Sequence, residues 1–235
     1  MNNNKIDLRQ LHQDYDSYVL TDKDKTRIKG LKIVTESNEL SFKYFITISP
    51  YSFIADNDYG RKYVSEENLF LRTKIRRFFK SDIKFWFFTE KYSDASSKHY
   101  GGLHRHILME DLSSYRWNNP TNSMINFYEK FAPEAIFSTM CGEEVSEIHK
   151  VELIKRVCRL CNQTPNGKSG LDIRTIHNQE KLLGYCTKQI KTDDDIPAVI
   201  DFANSDYLNN PTRKTNETFI KFPLIGRNPI PAGVN

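Results

Sequence analysis

The chain has 235 residues, 38% of them hydrophobic, enough for one globular core with a modest extension. Its 15 Phe, 12 Tyr and 2 Trp exclude a disordered or low-complexity protein, and 34 Lys plus Arg against 30 Asp plus Glu leave a net charge of +4, which permits a nucleic-acid partner without requiring one. Four cysteines do not make a disulfide scaffold, the opening MNNNKIDLRQ lacks the apolar core of a signal peptide, and runs such as Phe85–Phe88 are too short to span a bilayer, so a soluble cytoplasmic protein with reduced thiols is expected.

Residues 1–40 read as a polar N-terminal extension with a short helix over Lys5–Tyr18 and no clear apolar face. Phe42–Ser49 (FKYFITIS) is dense in aromatic and β-branched residues and stops at Pro50, the pattern of a buried strand. Asp56–Gly60 reads as a loop. Ser65 opens a helix that continues to Lys80, with Leu71, Ile75, Phe78 and Phe79 recurring at helical spacing. Strands are expected at Ile83–Glu90 and Leu103–Glu110, joined as a hairpin by the Ser- and Gly-bearing loop Ser93–Gly102. Asn119–Cys161 is helical in pattern, with breaks at Pro133 and Cys141–Gly142. Leu171–Ile176 reads as a fourth strand, and Asn178 caps a helix carrying QEKLLGYCTKQIK. Residues 192–235, with prolines at 197, 211, 223, 229 and 231, read as an irregular C-terminal extension. The order predicts an α+β fold over residues 41–191: a ferredoxin-like, split βαβ antiparallel sheet, covered by helices mainly on one side. The open face is where such a sheet can hold chemistry or a nucleic-acid strand.

His104 and His106 are separated by one residue in a strand, so both imidazoles project from one face while Arg105 points away. Two imidazoles so placed either chelate one divalent ion or decorate a solvated face. Hairpin pairing can bring Glu90 opposite His104, since Trp86, Phe88 and Glu90 alternate onto one face. Glu90 is then either an oxygen ligand or a strand-end carboxylate in solvent. A two-histidine, one-carboxylate set leaves open positions and suits Mg²⁺ or Mn²⁺ acting on a phosphate. His99, in the loop, is an alternative ligand or a solvated side chain. Tyr185 and Lys188, three residues apart in the last helix, share a face. Such a pair is often a surface contact, but a tyrosine beside a metal and a cation can also attack a phosphodiester.

Taken in order, FITISPY (Phe45–Tyr51), LHRHIL (Leu103–Leu108) and YCTK (Tyr185–Lys188) resemble the three motifs of the HUH rolling-circle replication initiators, over roughly residues 42–191. The resemblance implies the HUH endonuclease fold and a metal-dependent enzyme that nicks one DNA strand at an origin. The tyrosine stays on the 5′ phosphate and a free 3′ hydroxyl primes synthesis. By position it implies His104, His106 and Glu90 as ligands of Mn²⁺ or Mg²⁺, Tyr185 as nucleophile, and Lys188 as the lysine that positions the phosphate or the metal site. Arg105 departs from the family pattern, which places a bulky apolar residue there. The implied partners are single-stranded DNA with an origin hairpin and, because little chain follows Tyr185, a separate helicase; no membrane is implied.

For DNA contacts, Thr47 and Ser49 are candidates from the first motif, although FITIS is equally well a core strand. Lys74, Arg76, Arg77 and Lys80 form a basic run that either neutralises phosphates or is an exposed helix face. Arg61, Lys62 and Lys98 lie in loops flanking the expected site. NQTPNGKS (162–169) is no phosphate-binding loop, because Asn162 stands where that motif needs Gly and a helical pattern precedes it. Cys158 and Cys161 have no second pair at zinc-binding spacing and read as buried or incidental thiols. Alternatives to the initiator are a single-tyrosine HUH transposase, a non-catalytic nucleic-acid-binding domain whose sheet carries exposed aromatics, and a regulator whose histidines hold metal without chemistry.

Overall fold

The computed structural model describes residues 15, 17–33, 41–50, 52–79, 81–93, 95, 99–112, 147–161 and 170–206. The elements run α1 (Asp22–Ile33), β1 (Phe42–Ser49), α2 (Asp58–Phe79), β2 (Phe85–Lys91), β3 (Leu103–Glu110), α3 (Glu147–Cys161), β4 (Gly170–Thr175), α4 (Gln179–Cys186), a 3-10 turn at Asp193–Asp195 and α5 (Ile196–Val199). The strands form one antiparallel sheet in the order β2–β3–β1–β4. Both β1 and β2 are antiparallel to β3, so they run parallel to each other with β3 between them. Every expected strand is present within two residues of its expected limits. Among the described residues no helix is long and apolar enough to cross a membrane.

Alternation along the strands divides their side chains between two cores. Tyr44, Ile46 and Ile48 of β1, with Phe85, Phe87, Ile107 and Met109, pack under α2 and α3 through Leu71, Ile75, Leu153 and Ile154. Phe45, Trp86, Phe88 and Leu108 face the other way, onto Leu182, Leu183 and Tyr185 of α4 and Ile28 of α1. Each fully buried Leu, Ile or Phe contributes roughly 1.5–3 kcal/mol, so both layers are strongly held. The sheet is therefore covered on both sides over β1, β2 and β3, and the face expected to be open stays half-exposed only along β4. Most of the cover comes from α4 and the residues after it, and α1, whose polar sequence DKDKTRIKGLKI gives little sign of an apolar face, adds Ile28.

Other boundaries shift for local reasons. α2 starts seven residues before Ser65 because Asn57 caps it: its Oδ1 accepts from Gly60 N at 2.9 Å and its carbonyl from Arg61 N at 2.9 Å. Gly60 suits that first turn, since a Cβ there would meet the Ala55 carbonyl. α4 is capped by Asn178 as expected, its side chain accepting from Lys181 N at 2.8 Å. It ends at Cys186, where Thr187 Oγ1 turns back onto Leu183 O at 2.7 Å. The C-terminal extension begins as an ordered strap rather than an irregular tail. Asp201 N and Asp206 N donate to Phe87 O and Phe85 O at 3.0 and 2.8 Å, and Phe87 N and Phe85 N donate to Ser205 Oγ and Asp206 Oδ2. The helix expected over 5–18 lies outside the described residues apart from its last positions, as do 119–146, the 162–169 loop, Lys80 and Lys98.

Candidate metal centre

The β2–β3 register pairs Glu90 with His104 and Phe88 with His106. Period-two alternation then puts Glu90, His104 and His106 on the face shared with α4, and all three are buried, at 4%, 2% and 1% exposure. Nε2 of His104 and Nε2 of His106 are 3.1 Å apart, and Glu90 Oε2 lies 2.8 Å from the second and 3.6 Å from the first. Ligand atoms ~2.1 Å from one ion stand about 3.0–3.4 Å apart in octahedral or tetrahedral arrangements, so this triangle has the dimensions of a coordination face. One ligand atom from each residue lies within 4.8 Å of the others, and the group could hold a metal ion. Two nitrogens and one oxygen suit a first-row transition ion better than Mg²⁺, whose preferred donors are all oxygen.

Surrounding residues fix these side chains. Thr47 of β1, directly across from His106, places Oγ1 3.1 Å from His106 Nδ1. That contact anchors the ring edge opposite the one facing Glu90, as outer-shell partners of histidine ligands do. Tyr92 packs against His104 with centroids 4.4 Å apart and the rings tilted by 35°, and its hydroxyl is hydrogen-bonded to Ser49. Burial pushes the His106 imidazole down to about 4, so the ring is neutral near neutral pH. Burial alone would raise Glu90, but hydrogen bonds from His104 and His106 and the charge of Lys188 hold its carboxyl well below the usual range.

Tyr185 and Lys188 join the same group. The Tyr185 ring lies 5.5 Å from that of His106, edge to face. Lys188 does not share a helix with Tyr185, because α4 has already ended. It sits in the following turn, its N–H donating to Tyr185 O at 3.2 Å. From there its ammonium stands 3.5 Å from the Tyr185 ring centroid and is ion-paired with Glu90. Gln189 secures the turn by bonding both ways with the backbone of Lys91, at 3.0 and 2.9 Å. Neighbouring Cys186 is no rival nucleophile, since burial pushes its thiol well up.

Tyr185 is sealed, at 1% exposure. Tyr15 and Tyr18 present their rings to it at 5.7 and 5.8 Å, and Leu20 and Tyr18 press on Gly184, where a Cβ would come within 2.8 Å of Leu20.

Several expected DNA contacts are placed elsewhere. Thr47 and Ser49 are buried, at 1% and 0%, and serve the histidines and Tyr92 instead. Lys74, Arg76 and Arg77 lie on α2, across the sheet from the histidines. Arg76 is committed to Asp206 at 2.9 Å and to Ile83 O at 2.9 Å, while Lys74 lies over Phe70 and, like Arg77, is exposed. Arg61 is bound to Asp56 and to Ala198 O, and Lys62 is exposed beside Glu66. His99 is buried at 4% rather than solvated, 5.6 Å from Tyr92. Arg105 does point away from the centre, but into the α2 side, where it is buried and paired with Glu67 at 2.9 Å. Cys158 is a buried core thiol. Tyr92 was within reach of the sequence, since it continues the Trp86, Phe88, Glu90 alternation; nothing in the sequence marks Tyr15, Tyr18 or Gln189.

Compared with protein-family models, curated proteins and solved structures, the chain finds no match.

Proposed function

We propose that the chain is a metal-dependent, site-specific single-stranded DNA endonuclease of the HUH replication-initiator kind, acting through Tyr185. The observation that carries this is the meeting of two motifs far apart in sequence: His104 and His106 form a buried ligand triangle with Glu90, and Lys188 joins its carboxylate to the ring of Tyr185. A strand order that sets β3 between parallel β1 and β2 agrees with the split βαβ arrangement expected of that fold.

Glu90, His104 and His106 would hold a divalent ion, which would supply Lewis-acid polarisation of the phosphate. With the Tyr15 and Tyr18 cover moved aside, Tyr185 attacks phosphorus in line, its phenolic proton passing to water as the new P–O bond forms and the bond to the 3′ oxygen breaks. That oxygen departs as a hydroxyl after taking up a proton. Lys188 orients the phenol and offsets negative charge beside it, and Thr47 keeps His106 in position. The phosphotyrosine conserves the energy of the broken bond, so a 3′ hydroxyl can later reverse the step. An initiator and a transposase share this chemistry and differ in the DNA they cut. The non-catalytic reading is disfavoured because it needs exposed sheet aromatics, and Phe45, Trp86 and Phe88 are buried.

The test is a denaturing gel of labelled single-stranded oligonucleotides incubated with Mn²⁺ and either wild type or Tyr185→Phe. A slow-migrating covalent adduct in wild type alone is expected. Cleavage that survives Tyr185→Phe removes the tyrosine mechanism, and tight binding of origin DNA without any adduct removes the nuclease.

A further inference from the structure

A groove of about 1020 Å³ runs between α1 and the segment following α4. Two of its lining residues belong to the sealed site: Lys188, which joins Glu90 to Tyr185, and Tyr18, edge-on to the Tyr185 ring. The groove therefore borders the buried centre without opening into it, and its volume lies at the upper end of the ~300–1,000 Å³ of small-ligand sites.

Its chemistry suits a chain of alternating anions and flat bases. Lys23 and Arg27 come from one wall, Lys188 and Lys191 from the other. Lys23 and Lys191 are exposed at the rim, whereas Tyr18, Ile190 and Ile196 supply less exposed apolar surface. Lys23 makes no ion pair among the described residues, and Lys191 uses one of its three donors on Lys188 O at 2.8 Å. The acidic residues of the lining are partly neutralised at home. Asp24 is buried, tied to Arg27 and to Thr21 N at 2.8 Å, and Asp22 pairs with Lys25 at 3.2 Å; Asp193 stands exposed.

We propose that this groove seats the single-stranded DNA flanking the scissile phosphodiester, with backbone phosphates on Lys23 and Lys191 and a base against Tyr18. The assignment rests on the nuclease reading of the metal centre and adds the strand's path to it. Phosphate contacts on two walls fix the strand's register, and an aromatic ring accepts any base face, as in sequence-tolerant single-strand binders.

The experiment measures anisotropy of a labelled mixed-sequence oligonucleotide in EDTA, where no cleavage occurs, for wild type and for the double variant Lys23→Glu, Lys191→Glu. Both lysines are exposed, so the fold and the Mn²⁺ affinity should be unchanged. Affinity should fall at least tenfold, and the slope of log K against log salt should become shallower by about 1.4, since each single-strand phosphate contact contributes about 0.7. Photocrosslinks from 5-iodouracil in the bound strand should map to Tyr18. A double variant that binds with unchanged affinity and slope, while wild type still forms the Tyr185 adduct, overturns the groove and leaves the nuclease standing. A wild type that binds no single strand overturns both.

Discussion

Thr47 Oγ1 stands 3.1 Å from Nδ1 of His106, across the β1–β3 ladder. The contact sets the ring plane, and with it the direction of the Nε2 lone pair. Thr47→Val keeps the shape and removes the hydroxyl, so Mn²⁺ affinity measured by titration calorimetry should fall about 10–100-fold. Thr47→Ser should restore most of it. Affinity kept in Thr47→Val and lost in Thr47→Ser would mean that the methyl, and not the hydroxyl, matters.

The donor set also predicts a choice of ion. With two imidazole nitrogens and one carboxylate oxygen, Mn²⁺ should bind at least tenfold more tightly than Mg²⁺ in the same titration. Removing the metal with EDTA should abolish any strand cleavage, and Mn²⁺ should restore it at lower concentration than Mg²⁺.

Stability of the metal-free protein should fall as the solution is acidified. His106 has a folded value of about 4 against an ordinary 6.5, so between those limits the unfolded chain takes up a proton that the folded chain does not. That window removes roughly 3 kcal/mol from this group. Glu90 acts in the same direction at lower pH, because its depressed folded value makes its contribution present above the ordinary carboxylate range and lost as pH falls through that folded value. Urea unfolding in EDTA across pH 7 to 4 should show the decline, and His106→Gln should flatten its upper part.

The seal over Tyr185 can be probed chemically. In wild type, tetranitromethane should nitrate exposed Tyr59 and Tyr100 well before Tyr185, as read by mass spectrometry. The double variant Tyr15→Ala, Tyr18→Ala should make Tyr185 reactive, at a stability cost of about 1.5–4.5 kcal/mol from three lost aromatic pairs. A Tyr185 that stays protected would place the seal in α4 itself.

Arg105 carries a prediction for the opposite face. Its guanidinium is buried against Glu67 at 2.9 Å and Asn68 at 3.4 Å. Arg105→Ala should cost about 2–5 kcal/mol in urea unfolding and Arg105→Met distinctly less, because both leave the partly exposed Glu67 to solvent but only Met fills the space of the buried side chain.

The sheet and the ligand triangle were legible because both follow from period two. The alternation of Trp86, Phe88 and Glu90 against His104 and His106 fixes a face, and a hairpin fixes which residues oppose each other; Glu90 across from His104 is the result. Tyr185 could be placed beside the histidines only through motif order, since a helix after the last strand can pack in several ways. The cover over the site was not legible. α1 shows almost no apolar periodicity, and Tyr18 reaches Tyr185 from over 160 positions away by tertiary packing alone. The basic residues of α2 misled for a related reason: Arg76 and Arg77 look alike in sequence, yet Asp206, 130 residues downstream, claims the first and leaves the second in solvent.

The segment from Ile200 to Asp206 occupies the outward backbone groups of Phe85 and Phe87, with an isolated bridge from Ile200 to Phe88. An exposed edge strand is a template on which a second chain can add by backbone pairing, and here that template is already filled by the protein's own tail. At the other margin, no strand pairs with the outer side of β4 among the described residues, but β4 is only six residues long and carries Asp172 and Arg174. Short length and charge discourage strand-to-strand aggregation by a different route. A truncation before Ile200 would therefore turn the most aromatic strand of the sheet into an open, self-complementary edge, and its first symptom should be loss of solubility.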